Sequence, residues 1–190
     1  IEMRTFSLIL SLLAIATPVF AQSSQQLQQP TWQPVPPDST FSTGDTWESD
    51  GVRYRLYGVQ SCLRGTTYTD HFGNNKDCGE ASMFMLASVM QDLKPLCYAV
   101  AQTRDGSIQF VICSAVLIKG QNAGRALDIG TVLISSGFGF AALKPDGQPV
   151  NVGYAVSQNM AEEKRKGLWA FSDLPDPNAA LLRALPNPQQ

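Results

Sequence analysis

Gly44-Asp45-Thr46-Trp47-Glu48-Ser49-Asp50-Gly51-Val52-Arg53-Tyr54-Arg55-Leu56-Tyr57-Gly58-Val59 is the stretch that decides the fold class. Asp50-Gly51 is a strong signal for a two-residue hairpin turn, because both positions tolerate positive φ. The segments 43–48 and 52–57 on either side read as its two strands. Gly58, just past the second strand, is compatible with a bulge or the bend of a small barrel. Working outward, 96–102 and 108–116 flank Asp105-Gly106 and form a second hairpin. Between the hairpins, Ala81, Phe84, Met85, Val89 and Leu93 recur at helical spacing over 79–93, and Pro95 ends that helix. The spacing predicts a second helix over 126–136, with Asp128 near its start and Gly137 as its C-cap. A third runs over 156–166 to Gly167, with Lys164, Arg165 and Lys166 in its last turn, where positive charge complements the helix dipole. Strands, a helix, more strands and two more helices point to an α+β fold with a curled barrel carrying three helices.

The chain of 190 residues suits one domain plus tails. Met3-Arg4, an apolar run over 6–16 and Val19-Phe20-Ala21 give residues 1–21 the pattern of a signal peptide cut after Ala21. That run is too short to cross a bilayer core of roughly 30 Å, so no transmembrane segment is expected in the mature chain. Residues 22–39 are rich in Gln, Pro and Ser and read as a linker. The folded domain is expected at 40–171. A Pro-rich tail, expected to pack loosely, follows at 172–190 and could hold a helical turn or two over 179–185. The chain is thus expected to be secreted or periplasmic. Its net charge of -2 provides no long-range attraction for a polyphosphate.

Four cysteines in an exported chain point to two disulfides, with three possible connectivities. Cys97 and Cys113 lie almost equidistant from the Asp105-Gly106 turn, so a hairpin would set them opposite each other. Cys62–Cys78 is then the remaining pair. The spacings do not match a zinc-binding CxxC pair.

Gly44-Asp45-Thr46, Tyr54-Arg55-Leu56-Tyr57-Gly58-Val59 and Cys78-Gly79-Glu80-Ala81-Ser82 occur in order. They are followed by the Asp105-Gly106 turn, by Leu133-Ile134-Ser135-Ser136-Gly137-Phe138-Gly139-Phe140-Ala141 and by Ala161 to Trp169. Together these pieces resemble the staphylococcal-nuclease-like (thermonuclease) family. The resemblance implies a five-stranded OB-type barrel with three helices and calcium-assisted phosphodiester hydrolysis. It matches the family's first metal carboxylate to Asp45 and its first arginine to Arg55. The second metal carboxylate falls on Gln60, the general-base glutamate on Leu63 and the second arginine on Ser107. Leu63 can neither take a proton nor orient water, and losing a base removes about 10²–10⁴ in rate. Losing a transition-state charge donor removes ~10²–10³ more. Without the opposing carboxylates, Asp45 and Arg55 are expected to form an ion pair in the barrel mouth.

The expected function is a binding or accessory module of the cell envelope with an eroded catalytic site. Its partner would be an oligonucleotide, an oligosaccharide or an envelope protein. The alternative is a divergent calcium-dependent nuclease cleaving DNA or RNA with a displaced carboxylate such as Asp70, Asp77 or Glu80. No cofactor is expected, and calcium only under that alternative. His71, the single histidine, reads as a solvated loop side chain.

Overall fold

A computed structural model of the protein describes residues 31–185. The expected signal peptide, residues 22–30 of the linker and residues 186–190 of the tail lie outside the described residues.

A short strand β1 (Gln33–Pro34) comes first, and β2 (Thr40–Thr43), β3 (Thr46–Ser49) and β4 (Val52–Leu56) then form an antiparallel meander. Asp50 and Gly51 turn β3 into β4 with φ of 51° and 74°, the left-handed geometry that this turn requires. Gly58, at φ 76°, redirects the chain into β5 (Val59–Ser61). β6 (Thr67–Thr69) and β7 (Asn75–Asp77) make a small separate hairpin. Asp77 caps α1 (Cys78–Leu93) by accepting from the Glu80 amide, and Lys94, left-handed at φ 44°, closes it before Pro95.

β8 (Leu96–Gln102) and β9 (Ile108–Val116) are the long hairpin. β9 runs parallel to β4 over its first half and pairs with β10 (Ala126–Asp128) over its second. The main sheet therefore has seven strands, in the order β1-β8-β9-β4-β3-β2 with β10 also on β9. β11 (Gly139–Ala141) pairs with β5. Three further α-helices follow: α2 (Ile129–Ser135), α3 (Val152–Glu163) and α4 (Pro177–Ala184).

Trp47 and Tyr54 face each other across β3 and β4 and stack at 5.8 Å. They join Leu56, Val111 and Ala115 of the sheet to Leu86 and Met90 of α1 and to Ile129, Leu133 and Ile134 of α2 in the main core. A smaller cluster gathers Cys62, Cys78, Phe140 and Leu168, with Tyr68 and Trp169 against it.

The α+β class holds, but strand and helix numbers differ from the sequence expectation. Short backbone pairings at 33–34 and 126–128 extend the sheet beyond five strands. A fourth α-helix appears because Asp176 accepts from the amides of Asn178 and Ala179 and Pro177 occupies the first turn. The tail is also less loose than its composition implies, since Pro177 and Asn178 are buried. α2 starts later than expected, with Asp128 as its N-cap rather than an internal residue. α3 begins at Val152, because Asn151 caps it, and ends at Glu163. Lys164, Arg165 and Lys166 therefore follow the helix instead of forming its last turn, and Arg165 takes φ 49°.

Candidate functional site

Asp45 sits in the turn between β2 and β3 and is only 2% exposed. A carboxylate this deep needs compensation for lost hydration. Six donors surround its two oxygens. Oδ1 accepts from the hydroxyls of Thr43, Thr46 and Ser61. Oδ2 accepts from Arg55 Nε at 3.1 Å and the Ser61 amide at 3.3 Å, and Arg55 Nη2 lies 2.9 Å from it as the ion-pair contact. Two carboxylate oxygens offer about four lone-pair positions. The group is therefore saturated by its own fold, and a metal ion could bind only by displacing these donors.

Arg55 projects from β4 and its side chain is 32% exposed. Besides pairing with Asp45 it donates from Nη2 to Gln60 Oε1 at 2.8 Å. Gln60, buried on β5, in turn donates its Nε2 to the Ser61 carbonyl at 2.8 Å. Strand β4, the Gly58 bend and β5 thus fold Arg55 and Gln60 back onto Asp45. Gln60 thus offers Arg55 a neutral amide oxygen rather than a second carboxylate.

The other positions singled out by sequence are not part of this network. Leu63 lies in the loop after β5, where its carbonyl accepts from the Thr66 hydroxyl at 2.7 Å. Ser107 is exposed in the β8–β9 turn, and its amide and hydroxyl both donate to Asp105 Oδ1. Asp70 holds its own turn by accepting from the Phe72 and Asn74 amides. Asp77 accepts from the amides of Gly65 and Glu80. Both carboxylates serve the backbone rather than the Asp45–Arg55 network. His71 is exposed, with its ring 4.9 Å from that of Phe171. Among the described residues no three His, Cys, Asp or Glu side chains are grouped so as to hold a metal ion.

Two disulfides frame the region. Cys62 joins Cys78 at a Cα separation of 5.6 Å, closing the loop that carries Leu63 and the β6–β7 hairpin. Cys97 and Cys113 are direct partners across β8 and β9 and are bonded. Thr46 lies within the 44–59 stretch and Ser61 just beyond it, and both complete the shell around Asp45. Nothing in their spacing marks them as donors. Comparison with protein-family models gives no match, and comparison with curated proteins gives none either.

Proposed function

We propose that this chain is an exported, non-catalytic binding or accessory module of the cell envelope, built on a thermonuclease-like OB-type barrel. The observation that carries this reading is the closed Asp45–Arg55–Gln60 network, in which the retained carboxylate and arginine satisfy each other. Among the described residues no group of three His, Cys, Asp or Glu side chains could hold a metal ion there, and Leu63 stands where a base is expected. Support for the OB-type barrel comes from strand order. β2, β3, β4, β9 and β8 follow one another, with a single parallel pair between β4 and β9. Such a path suits a partly open five-stranded Greek-key barrel, a fold that commonly binds oligonucleotides or oligosaccharides. Two disulfides fit an oxidising compartment. No helix among the described residues is long and apolar enough to cross a membrane.

The alternative, a divergent calcium-dependent nuclease, rests on Asp45 and Arg55 alone. Assaying the oxidised chain from Gln22 onward on DNA and RNA, with and without calcium, separates the two. The binding-module reading expects no cleavage and no calcium-induced rise in melting temperature, because ligand binding to the folded state must raise it. Calcium-dependent cleavage abolished by Arg55→Ala overturns that reading. The triple change Gln60→Asp, Leu63→Glu and Ser107→Arg is expected to create measurable cleavage. A folded but inert triple variant removes the thermonuclease likeness and leaves the binding role to be judged separately.

A further inference from the structure

A cleft of about 440 Å³ lies between α3, the 3-10 turn Gly167–Ala170 and the start of α4. It shares no residue with the Asp45–Arg55–Gln60 network. Its size falls in the lower part of the range typical of small-molecule sites, roughly 300–1,000 Å³. Six side chains give it its chemistry: Gln158, Asn159, Glu162, Trp169, Asp176 and Asn178.

Two of the amides are held at one end and free at the other. Gln158 Oε1 accepts from the Ala141 amide at 2.7 Å, which leaves its Nε2 to donate. Asn178 Nδ2 donates to the Ala141 carbonyl at 2.9 Å, which leaves its Oδ1 to accept. The backbone amide and carbonyl of Ala141 thus fix both side chains, so little rotamer freedom remains to be lost on binding. Asp176 uses Oδ1 to cap α4. Glu162 and Asn159 are exposed. Trp169 packs its ring 5.2 Å from Phe140, and its buried Nε1 donor has no hydrogen-bond partner among the described residues.

Donors and acceptors are therefore interspersed on one small surface beside an indole. No basic side chain lines the cleft, which disfavours phosphate and carboxylate ligands. A hydroxyl both donates and accepts, so a polyol matches such a mixed lining where a purely accepting anion does not. The indole offers an apolar face to ring C–H groups. We propose that this cleft binds a neutral sugar residue, with Gln158 and Asn178 as fixed hydrogen-bonding partners and Glu162 and Asn159 as the rim. The site stands whether or not the barrel mouth has any activity.

Trp169 makes the test direct, because the chain has only three tryptophans. Glucose and N-acetylglucosamine are titrated into the ¹⁵N-labelled, disulfide-bonded chain. The Trp169 indole N–H resonance is assigned with Trp169→Phe. It is expected to shift and saturate at about 1–10 mM sugar, the range of a millimolar dissociation constant, while that of Trp47 stays still. Glu162→Gln and Asn159→Ala, both on exposed positions, are each expected to weaken binding about tenfold. A Trp169 resonance unmoved by both sugars overturns the proposal. So does a stronger response to glucose 6-phosphate than to glucose, or unchanged affinity in both rim variants.

Discussion

Arg55 is the residue on which the buried Asp45 carboxylate most depends. Removing one partner of a buried ion pair strands the other charge, an effect of about 3–5 kcal/mol when both are fully buried. Arg55 is a third exposed, and hydroxyl and amide donors remain around Asp45. Arg55→Leu is therefore expected to lower unfolding free energy by about 2–3 kcal/mol in urea. Adding Asp45→Asn should recover part of that loss. A change within about half a kcal/mol would mean that the hydroxyls alone hold the carboxylate. Asp105 gives a residue-scale prediction with a pH sign. The Thr103 hydroxyl, then the Ser107 amide and hydroxyl, hold its ionised form and lower its pKa from 3.8 to about 2. A depressed carboxylate pKa means that these bonds support the hairpin above the unfolded value and are lost as pH falls through the folded one. The Ser107 amide resonance should accordingly titrate with a midpoint near 2. A midpoint near 3.8 would show that the three donors do not hold the charge.

At the scale of elements, close approaches and capped edges decide which contacts tolerate change. A Cβ on Gly44 would lie 2.4 Å from the Ser82 Cβ and 2.7 Å from the Ser82 backbone carbon. Gly44→Ala must therefore push α1 away from the β2–β3 turn, at about 1–3 kcal/mol as for other overpacked contacts. Chemical denaturation should show that loss. A variant as stable as the parent would mean that α1 shifts freely. The hairpin turns at Asp50-Gly51 and Asp105-Gly106 were legible in the sequence, because turn residues are local, but the strand expected at 43–48 is broken by the Gly44-Asp45 turn between β2 and β3. The span of α1 was legible too, since Asp77, Pro95 and the apolar spacing mark it locally. The start of α3 was missed because Asn151 lies just outside the apolar repeat yet supplies the cap. A helical turn over 179–185 was legible, but the start of α4 at Pro177 and its packing were not. Asn178 earns its position through Ala141, a contact spanning the sequence from the first residues of one element to the last residue of another. Of the candidate site, the pairing of Asp45 with Arg55 was expected through the thermonuclease resemblance, and the two do pair. The role of Gln60 as an acceptor for Arg55 required the Gly58 bend to be seen.

For the whole molecule, the fold extends at both ends beyond the domain limits that composition marks. β1 covers the outer edge of β8 through Gln33↔Cys97 and Pro34↔Leu96. Trp32 adds an edge-on contact with Tyr98 at 4.4 Å. At the other terminus, Asn178 covers the Ala141 carbonyl, and Leu174 packs on the cluster around Cys62 and Phe140. Uncovered strand edges present unpaired backbone groups and invite association between copies. A chain limited to residues 40–171 is therefore expected to fold around the same core and disulfides but to lose both covers. Its melting temperature should fall by several degrees, since about 1 kcal/mol shifts a domain of this size by roughly 2–8 °C. It should also sediment as concentration-dependent oligomers while residues 31–185 stay monomeric under the same conditions. Restoring only 31–39 separates the two edges. If β8 is the associating edge, that chain returns to monomer yet keeps the lowered melting temperature from the missing α4. If residues 40–171 melt and sediment like residues 31–185, the terminal segments contribute nothing to the fold and the domain ends where its composition changes.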